Sequence, residues 1–444
     1  MSISAPTSST YPRGGSGGSL KSPAFLILWI VQAVTQTAQN VVNFGLLILA
    51  QTLTGSSAQV ALIILSFSLP AVLFSTLAGV MVDRWEKRWV MVWSNAVRGG
   101  AVLSYVLVDT ANQMYWVYGA SFLFASAAQF FAPAQGALLP RLVGREKLIE
   151  ANSLYNLTFM ASQFLGFTVV GWLLIRTFGL ETVWWLVAGI YALASLVIAL
   201  APLPSMRSEA GEGSAAVRMW SEWLEGWHFI ATRRRMVITI LQLSIANSVF
   251  LMLGTLGPAF VLQILRIRAE DLGLLLAPAG ICTLLGALTV PRLATPHNRH
   301  AMIHAGLMGL GLSILAMALI SPIASGLASL LGREVGLTQV TASAVVLSMG
   351  FGFSAAFIVI PAQTVLQESS SDEIRGRVLS TFFTISNAAA FFPILLAGRV
   401  ADVVGILETL AAVGILILLV GVASHVGNAR GREARKLGTE ESSP

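Results

Sequence analysis

Along the chain, long apolar runs alternate with short polar interruptions. The runs are Ala24–Ala50, Ala58–Val82, Trp89–Val108, Tyr115–Leu139, Ser153–Thr177, Val183–Ala201, Met236–Leu265, Leu272–Val290, Ala301–Ser321, Thr338–Leu366, Val378–Val400 and Gly405–His425. A helix rises 1.5 Å per residue, so about 20 apolar residues cross the hydrocarbon core of a bilayer. The pattern therefore predicts an all-α membrane protein with twelve transmembrane helices. Several runs exceed the required length, which implies tilt or extension beyond the bilayer.

The polar interruptions set the orientation. With the amino terminus placed in the cytoplasm, 21 of the 27 Lys and Arg residues fall on the cytoplasmic side. Five fall on the other side, and Arg98 lies inside the third run. Basic loops stay inside, so both termini are expected in the cytoplasm and an even number of helices is supported. The first 22 residues are rich in Ser, Gly and Pro and lack an apolar centre, as expected of a disordered tail and not a signal peptide. One interruption is long. After a polar stretch, Val217, Trp220, Trp223, Leu224, Trp227 and Ile230 recur at helical spacing beside Arg233, Arg234 and Arg235. Such a helix lies in the membrane interface against anionic headgroups; docking of a partner is the competing reading. The expected organisation is a tail (1–22), a six-helix bundle (23–201), a linker with the interfacial helix (202–235), a second six-helix bundle (236–426) and a cytoplasmic tail (427–444).

Composition narrows the function. Of 444 residues, 55% are hydrophobic and 11% charged, against roughly 25% charged in soluble domains. A net charge of +6 does not point to nucleic acid, because the basic residues are spread over short loops. The single Cys282 excludes an intrachain disulfide and a cysteine-based metal site. Five histidines and no clustered acids offer no metal site, no nucleophile with its base and no cofactor site, so no enzyme is expected.

The two halves repeat. Pro133-Ala134-Gln135, late in the fourth run, recurs as Pro361-Ala362-Gln363 late in the tenth. Each is followed by a short charged loop and a helix flecked with polar residues. A direct repeat with the same orientation implies two bundles related by an axis along the membrane normal, with a substrate site between them near the midplane.

The densest charge in the chain is Gly79-Val-Met-Val-Asp83-Arg84-Trp-Glu-Lys87-Arg88, between the second and third runs. An ordinary positively charged loop accounts for its basic residues, but does not require a Gly one helical turn before the Asp. The stretch resembles the signature loop of the major facilitator superfamily. Together with the two Pro-Ala-Gln segments, Leu148–Leu154, the Trp-rich linker and Arg375-Gly376-Arg377-Val378, it resembles the drug- and siderophore-exporter branch, which includes macrolide-efflux proteins and enterobactin exporters. The resemblance implies the major facilitator fold in the cell membrane, a small-molecule substrate, protons as the coupling ion and a monomer. It also implies that Asp83 docks near the start of helix 11 when the transporter opens outward. Gly79, Arg84, Arg88, Arg98, Arg375 and Arg377 are then candidates for the same switch. Arg98 is also explained by reaching the interface or by pairing with Asp83 or Asn95.

No Asp or Glu stands at the centre of any run. In place of acids there are amides: Gln32, Gln36, Gln39 and Asn43 on one face of helix 1, then Gln135, Gln163, Asn247, Gln363 and Asn387. These are candidate cavity residues for a neutral or amphipathic substrate; interhelical hydrogen bonding is the alternative role. Drug/proton antiporters of the superfamily usually carry a Gly-Pro kink in helix 5, whereas here Phe167 follows Gly166. The expected function is export of hydrophobic or amphipathic molecules by alternating access. A dedicated siderophore exporter, a lysolipid flippase and a non-transporting sensor or scaffold are the alternatives.

Overall fold

The computed structural model describes residues 20–204, 232, 234–295, 298–323, 336–368 and 372–440. The tail before residue 20 and the Trp-rich segment expected to lie in the interface fall outside the described residues. The principal helices are α1 (Pro23–Thr54), α2 (Ser57–Arg84), α3 (Lys87–Ser104), α4 (Met114–Val143), α5 (Leu148–Phe164) and α6 (Gly171–Leu200). After the linker come α7 (Arg234–Gln263), α8 (Gly273–Leu293), α9 (Arg299–Ala318), α10 (Leu337–Glu368), α11 (Asp372–Val404) and α12 (Ile406–Glu440).

Among the described residues, ten segments are long and apolar enough to cross a bilayer. One of them, Leu148–Leu200, has 53 residues and holds two passes. Its helix breaks at Gly179, where φ is 79°, a left-handed value that suits a residue without a Cβ. Ile175 and Trp184, on either side of the break, both face Gly45 of α1, so the chain reverses there. The other pass is α3, excluded from the ten by Lys87, Arg88 and Arg98. Counting that second leg and α3, the described residues offer twelve helical segments as candidate passes.

The charged stretch is more helical than its composition suggests. Asp83 and Arg84 occupy the last turn of α2, and only Trp85 and Glu86 separate α2 from α3. The buried Lys87 closes this corner by donating from Nζ to the Asp83 carbonyl at 2.8 Å, which satisfies a carbonyl the helix end would leave unpaired. At the other extreme of the chain, α12 continues to Glu440, past the expected end of its pass.

The face where α1 begins is called proximal here, and the opposite face distal. One apolar core joins the distal halves of α1, α2, α3 and α4 to the second bundle. The proximal half of the first bundle has a core of its own, built from Phe25, Leu28, Val82, Met91, Phe131 and Leu138. Among the described residues, apolar packing therefore ties the two bundles together distally, while the proximal half of the first bundle keeps a core of its own.

Candidate functional site

Between the bundles lies a cavity of about 650 Å³, bounded by residues of α1, α2, α5 and α7–α12. This volume suits a drug-sized ligand. Its wall is largely apolar, with Phe67, Phe159, Phe164, Phe250, Phe351 and Phe382 among the lining side chains. Among the described residues no Asp, Glu, Lys, Arg or His lines it.

The amides divide by role. Asn43, Gln163, Asn247, Gln363 and Asn387 line the cavity, as does Asn40. Asn40 uses its donors on the Gln36 and Ser162 carbonyls at 2.9 and 3.1 Å, and so ties α1 to α5. Asn247 reaches the Ser386 carbonyl at 3.4 Å. Asn43 and Gln163 from the first bundle, with Gln363 and Asn387 from the second, make no side-chain hydrogen bond among the described residues. Their donors and acceptors are free for a ligand.

The helix 1 stripe does not act as one surface. Only Asn43 of its four amides lines the cavity; Gln32, Gln36 and Gln39 do not. The four share a helical face, but the neighbours change along a 32-residue helix. At the level of Gln39 the neighbour is Arg98, whose guanidinium donates to Gln39 Oε1 at 2.7 Å. The Pro-Ala-Gln repeat also splits: Gln363 lines the cavity, whereas Gln135 is buried in its own bundle and does not.

Arg98 neither reaches an interface nor pairs with an acid. It is 2% exposed, donates to the Tyr191 hydroxyl at 2.6 Å and lies over the rings of Tyr191 and Phe124 at 4.4 and 4.9 Å. Tyr191 passes the connection on, donating to the Thr35 carbonyl at 3.0 Å. The charge is held by ring faces and neutral acceptors, and the network locks α1, α3 and α6 together.

The bundles meet along a seam. Asp402, in the last turn of α11, accepts from the backbone N–H groups of Ser57 and Ala58 at 2.7 and 3.1 Å and from the Ser56 hydroxyl. Arg176 of α6 pairs with Asp271, which precedes α8. The ring of Phe164 lies directly over Gly280. All of these contacts fall in the distal half. At the proximal end, Gly79 lies on α2, Asp83 and Arg84 are exposed, and Arg88 is half-buried. The Asp83 carboxylate makes no hydrogen bond among the described residues. The side chains of Arg375 and Arg377, on the first turns of α11, lie outside the described residues.

Where a Gly-Pro kink is usual in related antiporters, this chain has a π-helical segment, Leu165–Val170. Such segments widen a helix by one residue and concentrate at functional positions. Here it places Phe167 and Thr168 on the cavity wall.

Two helical bundles that enclose one cavity and meet at one face form the architecture of an alternating-access membrane transporter. The chain belongs to the Major Facilitator Superfamily, whose family profile matches residues 28–393. It is 26% identical to the multidrug efflux pump Tap of Mycolicibacterium fortuitum, over 91% of this chain and 95% of Tap. It is 21% identical to macrolide efflux protein A of Streptococcus pyogenes, over 93% of this chain and 97% of that protein. Its fold matches the crystal structure of the nucleoside transporter NupG with a TM-score of 0.68, at 13% identity, covering 91% of this chain and 99% of NupG.

Proposed function

We propose that this transporter exports uncharged hydrophobic or amphipathic small molecules from the cell, driven by the proton gradient. The observation that carries this reading is the cavity wall: aromatic and aliphatic side chains with four free amides and, among the described residues, no ionisable group. A charged substrate would enter that wall without a counter-charge, at a large desolvation cost. A neutral one buries its apolar surface and satisfies a few polar atoms. The names of the relatives, a multidrug efflux pump and a macrolide efflux protein, agree with export. The excess of Lys and Arg on the proximal loops supports a cytoplasmic position for that face of a multi-pass cell-membrane protein. Asp83 then serves as the inner gate and docks on the start of α11 in the outward-open state. Substrate and protons each shift the balance between the two states by binding one better than the other, and the proton gradient drives the cycle.

The test is accumulation of a panel of neutral and cationic lipophilic dyes and antibiotics in cells expressing the chain, with and without a protonophore. Neutral compounds are expected to accumulate less, and the protonophore to abolish the difference. Gln363→Ala is expected to cut export of the best substrate several-fold. Export confined to permanent cations would overturn the reading.

A further inference from the structure

We propose that Asp402 is the distal latch of the transport cycle: a carboxylate at the end of α11 that closes the distal face by capping the amino terminus of α2 in the other bundle. The accounting of backbone donors supports this. A helix leaves its first four N–H groups without intrahelical acceptors. For α2, capped by Ser56, these belong to Ser56, Ser57, Ala58 and Gln59. Ser56 donates to Thr54 Oγ1 at 3.2 Å and Gln59 to its own cap, Ser56 Oγ, at 3.3 Å. The other two, Ser57 and Ala58, donate to Asp402. Ser56 completes the arrangement, its hydroxyl donating to Asp402 while accepting from Gln59. Half of the amino-terminal donors of α2 are thus satisfied from the other bundle.

Two further features identify the contact as reversible. Asp402 is exposed at the edge of the seam, over the buried Ser57 and Ala58, so water reaches both sides and replaces the lost bonds when the bundles part. Asp402 also sits at the carboxyl-terminal end of its own helix, where the macrodipole disfavours an anion, and only the amino terminus of α2 reverses that effect. Close approach is built in next to it. Gly398, one turn earlier on α11, faces the start of α2 so closely that a Cβ would lie 2.8 Å from the Ser57 carbonyl oxygen and 3.0 Å from the Ala58 Cα.

The arrangement is reciprocal. The terminal acid of α11 holds the start of α2 at the distal face. The terminal acid of α2, Asp83, is directed to the start of α11 at the proximal face. The Asp83 half rests on the function proposed above; the Asp402 half does not.

The full chain with Cys282→Ala, spin-labelled at the exposed distal positions Asn112 and Thr338, reports the distal opening by pulsed dipolar spectroscopy without any substrate. Asp402→Asn and Asp402→Ala are expected to raise the ratio of open to closed distal populations by roughly tenfold, the worth of charge-assisted hydrogen bonds. Asp109→Asn, at an exposed distal acid whose carboxylate bridges nothing among the described residues, is expected to leave it unchanged. Distance distributions in both Asp402 variants that superimpose on the parent would overturn the latch. So would a lowered melting temperature with unchanged distances, because that is the signature of a simple helix cap. A shifted distribution in a protein that exports none of the tested compounds would uphold the latch and refute the export reading.

Discussion

The α2–α11 seam ends in an acid at each face, and the two acids are in opposite conditions. Asp402 accepts from two backbone N–H groups and a hydroxyl of the other bundle. Asp83 is exposed and makes no side-chain hydrogen bond among the described residues. Both stand in the last turn of their own helix, where a negative charge costs about 0.3–1 kcal/mol. Neither position is explained by its own helix. Asp402 is explained by the start of α2, which it has reached; the function proposed above directs Asp83 to the start of α11 in the same way. The bundles are held together distally in this structure, and on the proposed cycle the proximal acid serves the other state.

Three substitutions break or sharpen this comparison. The largest effect is expected from Gly398→Val. Its side chain occupies space held by Ser57 and Ala58, so the distal face cannot close, and efflux is expected to fall to the level of cells lacking the protein. Normal efflux by this variant would mean that the seam tolerates a gap there. Asp83→Asn is expected to insert in normal amount and lose most transport, at least about tenfold, as befits a charge used at a helix amino terminus. Efflux rate normalised to membrane content reads this directly, and an unchanged rate would remove Asp83 from the gate. The smallest effect belongs to Arg176→Gln. The Arg176 side chain is 45% exposed, and exposed ion pairs contribute about 1 kcal/mol or less. A change in the distal open-to-closed ratio of less than about fivefold is expected. A shift larger than that of Asp402→Asn would make the Arg176–Asp271 pair the principal latch.

Much of this was legible from the residues. Hydropathy gave the passes, including the two legs of Leu148–Leu200, because a bilayer imposes length and apolarity on every crossing. The stretch from Gly79 to Arg88 and the paired Pro-Ala-Gln segments pointed to the superfamily that the family profile establishes. Other features were not legible. Gln135 and Gln363 occupy matching places in the repeat, yet only Gln363 faces the cavity. Arg98 reads as an interfacial or acid-paired cation, but lies among aromatic rings. The π-helical segment at Leu165–Val170 has no proline to announce it. Nothing in the sequence singles out Asp402, because two of its three partners are backbone N–H groups more than 340 residues away.

By itself, the sequence determined whatever depends on one segment meeting its solvent. That covers which stretches cross the membrane, which loops carry the positive charge and which spans hold amides where acids could stand. The tertiary structure alone decided what depends on two segments meeting each other. It chose which amides face the cavity, gave Arg98 its aromatic neighbours and set Asp402 on the start of α2. The physical reason is directional. Burial in a bilayer acts on each residue independently, whereas a hydrogen bond across a seam needs a donor whose identity is carried by the backbone and whose position is fixed only once both bundles are in place.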